Sequence, residues 1–231
     1  MRGPCLLIVN AGPDSEPILP FLGDGVHVTA LAWHPSSRCD AWREGAGQWL
    51  SDIPQWERKF QTVGRLAIAG LLSVDYESIA VIDDDLVPVD CRWSDIFGLF
   101  QRSGFDVAQP ALHKNSGANI SHHVTKQVTG ARWRRTGFVE VQVPIFSRAA
   151  FADCSRLFVE AGPAGWGLES YWGARFRCGI LDATPVRHTR GVGRGTPYKG
   201  LEGIDLLRQA AEFRKKHRVG IARHKVFETV R

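Results

Sequence analysis

Three consecutive carboxylates, Asp83, Asp84 and Asp85, follow the apolar run Ile79-Ala80-Val81-Ile82. A short apolar run closed by acids reads as a buried parallel strand that ends at a site. Side chains alternate along an extended segment, so Asp83 and Asp85 face one way and Asp84 the other. Adjacent carboxylates repel one another, and the folded chain must bring positive charge to them. Two hard oxygen donors at this spacing suit Mg2+ or Mn2+, with phosphate oxygens filling the remaining positions. The same acids would also serve as a solvated turn, closed by Leu86-Val87-Pro88.

Strands and helices alternate around this stretch, which is the pattern of an α/β fold. Leu6–Val9 reads as a first buried strand with a turn over Asn10–Asp14, and Val26–Trp33 as a second. Neither a dinucleotide glycine fingerprint nor a Walker-type phosphate loop accompanies them. Trp56, Phe60, Val63, Ala67 and Leu71 fall on one helical face and predict a helix over Gln55–Ser73. Arg58, Lys59 and Arg65 lie on its polar flank, either solvated or in reach of a diphosphate. Trp42, Trp49 and Trp56 read as core or rim. Ser94 predicts the start of a helix that runs to Arg102 and closes at Gly104.

Val107–Ala111 reads as the next strand, and 112–135 as a long polar loop. The loop carries His122-His123, a pair that neighbouring extended positions would point apart. Phe138–Val143 alternates as a strand with one apolar face does. Ser147 is placed to cap a helix over Arg148–Ala161. Gly165-Trp166-Gly167-Leu168-Glu169 is a tight turn that presents one acid beside an indole. Ile180–Val186 reads as a final strand with His188 just past its end, followed by a basic, glycine-rich run over Arg190–Lys199. Ile204–Lys216 has the spacing of an amphipathic helix.

The totals fit one α/β domain: 231 residues, of which 44% are hydrophobic and 23% charged, a globular composition. No apolar run is long enough to span a bilayer, and the first ten residues read as a strand rather than a leader. The five cysteines are scattered without zinc-like spacing, which fits a reducing cytoplasm. The net charge is +5, yet residues 214–231 carry seven Lys or Arg against one acid. The basic excess therefore belongs to a tail over 214–231, and the main domain, 1–213, is not expected to bind nucleic acid.

Gln109-Pro110-Ala111-Leu112, then Thr136–Ala150 with its Phe138-Val139-Glu140-Val141 and Phe146-Ser147-Arg148 parts, then Gly165–Glu169, follow the acidic strand in this order. Over roughly residues 56–191 the chain resembles an uncharacterised family of glycosyltransferase-A-like proteins with plant and bacterial members. That family usually reads Asp-Glu-Asp where this chain has Asp83-Asp84-Asp85, so the outer carboxylates are kept.

The resemblance implies a single GT-A-like domain, the nucleotide-diphospho-sugar transferase fold, with a mostly parallel central sheet flanked by helices. It implies a sugar-nucleotide donor, an unspecified hydroxyl acceptor and a divalent ion. Asp83 and Asp85 would serve the ion, with Asp83 and Asp84 at the nucleotide sugar. His188 would complete the metal site, and Glu169 would take the acceptor proton or orient the hydroxyl. Trp166 would form a stacking wall for a sugar, and Arg190 with Arg194 would close over the phosphates.

Two other functions share these residues. A non-catalytic nucleotide-sugar or glycan-binding module would keep the metal ligands with an idle Glu169. A haloacid-dehalogenase-type phosphatase would use Asp83 as nucleophile and Asp85 as acid, although that fold usually opens with its acidic strand. Neither the acceptor nor the oligomeric state is written in the sequence.

Overall fold

Cys5, Leu7, Val9 and Ala11 belong to one apolar cluster and Leu6 and Ile8 to another. This alternation makes the strand Cys5–Ala11 (β1) the middle of a sheet buried on both faces. The computed structural model describes residues 3–12, 15–16, 19–33, 48–50, 58–72, 75–119, 122–190 and 203–231. β1 pairs in parallel with Val26–Ala32 (β2) on one side and with Ser78–Asp83 (β4) on the other, and β2 pairs in parallel with Gln48–Leu50 (β3). Val107–Leu112 (β6) runs parallel to Cys178–His188 (β9). The short strand Ile145–Ser147 (β8) joins the two parallel groups by pairing antiparallel with both β4 and β6. Trp133–Gly137 (β7) and Arg223–Val230 (β10) extend the sheet beyond β9. Leu86–Pro88 (β5) pairs antiparallel with the end of β9.

Helices cover both faces. Trp93–Ser103 (α2) packs Trp93, Ile96, Phe97 and Phe100 against one. Against the other lie Lys59–Ile68 (α1), Arg148–Phe158 (α3), Leu168–Arg175 (α4) and Leu206–His217 (α5), with Phe60, Phe151, Phe158, Trp172 and Phe213 in one cluster. The α/β architecture with a parallel core is as the sequence predicts, and Ser147 caps α3 by accepting the Ala150 N–H at 3.2 Å. The described residues of α1 lie inside the predicted helix, whose first residues, 55–57, are outside the described set, as are Trp42 and Trp56.

Three elements differ from expectation. The helix expected to be capped by Ser94 is N-capped two residues earlier, at Arg92, whose N–H Asp95 accepts at 2.8 Å. The strand expected over Phe138–Val143 is displaced: β7 ends at Gly137, and 138–144 is an irregular segment before β8. Side chains add to the remaining backbone bonds there, as Gln109 Oε1 accepts the Glu140 N–H and Lys59 donates to the Val141 carbonyl, while the Gln142 and Pro144 carbonyls still accept from β4. Residues 214–231, expected as a basic tail, instead close α5 and form β10, which pairs with β7. The cationic residues there are compatible with a strand at the margin of a sheet, where charge discourages further pairing.

The four described cysteines, Cys5, Cys91, Cys154 and Cys178, are unbridged. Gly173 of α4 sits directly on the backbone carbonyl of Gly137, which is why α4 can lie against β7 at all. Gly173→Ala would force these backbones apart, and a loss of about 2–3 kcal/mol is expected in urea unfolding. An unchanged midpoint would contradict the packing described.

Candidate functional site

The parallel strands end along one edge of the sheet, the usual ligand edge of open α/β folds. Asp83 is the last residue of β4 and stands opposite Asn10 of β1. Asp84 and Asp85 turn the chain into β5, where Leu86 pairs with His188. The Thr189 N–H donates to the Asp85 main-chain carbonyl at 2.9 Å. This short pairing brings the end of β9 onto the acidic turn, so His188 is the last residue of the strand rather than a residue beyond it.

Each acid has its own partners. Lys59, buried at the start of α1, donates to Asp83 Oδ1 at 2.7 Å and to the Val141 carbonyl at 2.7 Å. Asp84 faces the first-strand turn, where its Oδ2 accepts from the Gly12 N–H at 2.7 Å and from Ser15 Oγ at 2.5 Å. Its Oδ1 is held by the Arg190 guanidinium. Burial pushes the Asp84 carboxyl up, with Arg190 opposing. Both oxygens are engaged, so Asp84 anchors the β1 turn.

Asp85 Oδ2 stands 3.0 Å from His188 Nε2 and accepts from Arg190 Nε at 3.2 Å. Burial pushes this carboxyl up, but the His188 hydrogen bond and the charges of His188 and Arg190 outweigh it and hold it below the ordinary value. Asp85 Oδ1 is buried and accepts no hydrogen bond among the described residues. An orphaned carboxylate oxygen is costly unless something else meets it.

The sequence assigns Asp83, Asp85 and His188 to one metal. The structure brings Asp85 and His188 together and turns Asp83 to Lys59. Among the described residues no group of three His, Cys, Asp or Glu side chains is arranged to hold an ion. The Asp85–His188 pair nevertheless fits one. Its orphaned Oδ1 and the adjacent imidazole are carboxylate and nitrogen donors, and an ion bound through one or two protein groups takes its other ligands from substrate phosphates and water.

Glu169 lies in the first turn of α4 and is half-buried; its Oε2 accepts the Gly167 N–H at 2.9 Å. Gly167 has a φ of 104°, so only glycine suits the turn that lets the acid fold back on its own helix. Burial pushes the Glu169 carboxyl up, and the α5 residue Arg214 opposes this. Trp166, at 40% exposed, is a rim indole rather than a core one. Arg194 and the rest of the run to Lys199 lie outside the described residues.

Sequence reasoning passed over two residues. Lys59 reads as one of three flank cations, yet it is the partner of Asp83. Glu140 reads as the polar face of a strand, yet it is buried, and its N–H donates to Gln109 Oε1 at 2.5 Å. The Gln142 amide donates to its Oε2, and His122 Nε2 lies 3.7 Å from its Oε1. Burial pushes the Glu140 carboxyl up to about 7, the Gln142 amide and the charge of His188 opposing and the charge of Glu169 adding to it. His122, Phe138 and His224 pack their rings together beside it, with centroids 4.1–4.7 Å apart. The only advance signal was an acid amid Phe138, Val139 and Val141, three residues of which the first two are buried.

No protein-family model matches the chain, and no curated protein matches its sequence. Solved structures do match its fold. GalNAc-T7, solved with UDP, GalNAc and Mn2+, superposes with a TM-score of 0.61 at 8% identity over 92% of this chain and 47% of its own. S. aureus TarS 1-349 in complex with UDP-GlcNAc gives 0.51 at 12% identity over 93% of this chain and 72% of its own. A longer S. aureus TarS structure gives 0.50 at 11% identity over 81% of this chain and 37% of its own. The chain thus spans less than half the length of GalNAc-T7 and of the longer TarS. These neighbours are GT-A glycosyltransferases, and the fold is GT-A-like. That overturns the phosphatase reading, whose acidic strand would open its fold; here β1, β2 and β3 precede β4.

A carboxyl at 4.5 in an unfolded chain and about 7 in the folded one keeps its proton longer when folded. Glu140 therefore costs stability as pH rises from 4.5 to about 7, and by a constant amount above that. Glu140→Gln is expected to be more stable than the parent at pH 8, by at most about 3 kcal/mol, with the gap closing toward pH 4.5. Parallel pH profiles in denaturant melts would contradict this.

Proposed function

We propose that the chain transfers a sugar from a nucleoside-diphosphate donor to a hydroxyl acceptor, with the help of a divalent cation. The observation that carries this reading is the Asp85–His188 pair with its orphaned oxygen, at the ligand edge of a GT-A-like sheet. GalNAc-T7 with UDP and Mn2+, and TarS with UDP-GlcNAc, share that fold and support the choice of donor class.

Asp85 and His188 would hold Mn2+ or Mg2+, an imidazole and a carboxylate together favouring Mn2+. When bound, the ion neutralises charge on the diphosphate leaving group. Asp83, fixed by Lys59 and 38% exposed at its side chain, serves the donor rather than the ion. Arg190 donates through Nε to Asp85 and through Nη2 to Asp84, and would turn from one of them to meet the diphosphate oxygens. Trp166 offers its exposed indole face to a sugar.

Glu169 is the expected acceptor-side acid, but its carboxylate is engaged at the N-terminus of α4. That engagement favours a second reading, a module that binds the nucleotide sugar without turning it over. Both readings share the donor site. No described helix is long and apolar enough to cross a membrane. A cytoplasmic location remains part of the proposal, and the single domain takes in β10.

UDP at about one hundred times its Kd should stabilise the protein by about 2.7 kcal/mol in the presence of Mn2+. For a chain of this size that is a rise in Tm of roughly 5–10 °C. In Asp85→Asn the Mn2+-dependent part of the rise should vanish. No Mn2+-dependent stabilisation of the parent by UDP or by other nucleoside diphosphates would contradict the proposal.

A further inference from the structure

Glu140 is held in place at some cost, and the fold makes no use of it. It is 6% exposed, and no Lys or Arg among the described residues pairs with it. It caps no helix, in contrast with Glu169, and it closes no turn, in contrast with Asp84. A buried carboxylate without a cation is destabilising, and an apolar residue at this position would remove that cost.

The surroundings nevertheless fix it from both sides. Gln109, fully buried on β6, accepts its N–H, and Gln142 donates to its Oε2. Just beyond it, the Gln142 carbonyl accepts the Asp83 N–H at 2.9 Å and the Val141 carbonyl accepts from Lys59. The segment that carries Glu140 is thereby tied to the last residue of β4. Its Oε1 makes no hydrogen bond among the described residues, the His122 nitrogen at 3.7 Å being too far. The Gln142 and Val141 carbonyls thus hold the segment beside Asp83 and Lys59, at the ligand edge. The rings of His122 and His224, packed on the buried Phe138, lie beside Glu140.

We propose that Glu140 Oε1 is the atom that removes the proton from the acceptor hydroxyl, with Gln109 and Gln142 positioning it and Glu169 confined to its helix end. The inference rests on the sugar-transfer reading. In the step, the acceptor O–H proton passes to Glu140 while the acceptor oxygen bonds to the anomeric carbon. The bond from that carbon to the diphosphate oxygen breaks, and its electron pair leaves on the nucleoside diphosphate. The displacement inverts the anomeric configuration. It also answers the binding-only reading, because the idle acid would be Glu169 and the working one Glu140.

The test measures nucleoside-diphosphate release from a panel of UDP- and GDP-sugars with Mn2+, with water and simple glycosides as acceptors. It is combined with the UDP and Mn2+ thermal shift on the same proteins. Glu140→Gln should lower release by about 100-fold or more while keeping the UDP and Mn2+ shift of the parent, which also shows that the variant is folded. Glu169→Gln keeps an acceptor for the Gly167 N–H and removes a carboxyl that burial pushes up, so it should fold without loss of Tm and lower release by much less than Glu140→Gln does. Release by Glu140→Gln within about threefold of the parent would overturn the assignment of Glu140 and leave sugar transfer standing. Loss of the UDP and Mn2+ shift in Glu140→Gln would also overturn it, by making Glu140 a donor-holding group. A parent that binds UDP with Mn2+ but releases nothing would overturn it in favour of the binding module. A parent that does neither would remove the sugar-transfer reading and this inference together.

Discussion

Three adjacent carboxylates at the edge of a buried sheet repel one another, and this fold resolves that repulsion by sending each acid to a different element. Asp83 goes to Lys59 on α1, Asp84 to the turn after β1, and Asp85 to His188 at the end of β9, with Arg190 between the last two. The consequence reaches past local charge balance. The acids tie together the first strand, the helix that covers one face, and the last long strand, so the ligand edge is assembled by the same contacts that would prepare it for an anion and a cation. The exception in this balance is Asp85 Oδ1, buried without a hydrogen bond. One unmet oxygen in an otherwise compensated cluster is what makes the arrangement read as a site rather than as a salt-bridged turn.

Much of this was legible from residue types. The apolar run into Asp83 gave a parallel strand ending at the ligand edge, whereas alternation, which puts Asp83 and Asp85 on one side, does not hold: Asp83 turns to Lys59 and Arg190 joins Asp84 to Asp85. The need for positive charge was also legible, since it follows from Coulomb repulsion alone. The identity of the cations was not. Lys59 lies 24 residues from Asp83 and Arg190 lies 105 residues from Asp85, and nothing local marks either as a partner.

Glu140 was misread for a different reason. Phe138 to Val143 alternates as a half-exposed strand does, and alternation assigns the polar residue to water. The segment is instead irregular, pinned by Gln109 and Lys59, so the period of the sequence carries no information about which way Glu140 points. Tertiary hydrogen bonds from β6 and α1 decided its conformation. β10 was missed similarly: seven cations in residues 214–231 suggest a solvated tail, yet the strand is highly exposed while still paired with β7, so its charge and its pairing do not conflict. Phe213 and Ala210 of α5 lie directly over Gly167, which places α5 next to the glycine turn.

The central claim is that Asp85 and His188 share one cation at the end of the sheet. Pulsed electron paramagnetic resonance of Mn2+ with the protein and UDP tests it most directly. The account predicts a bound Mn2+ signal with nitrogen modulation from an imidazole, lost in His188→Gln while the phosphorus coupling from UDP persists. A Mn2+ spectrum with no nitrogen coupling, unchanged between the parent and His188→Gln, would contradict it.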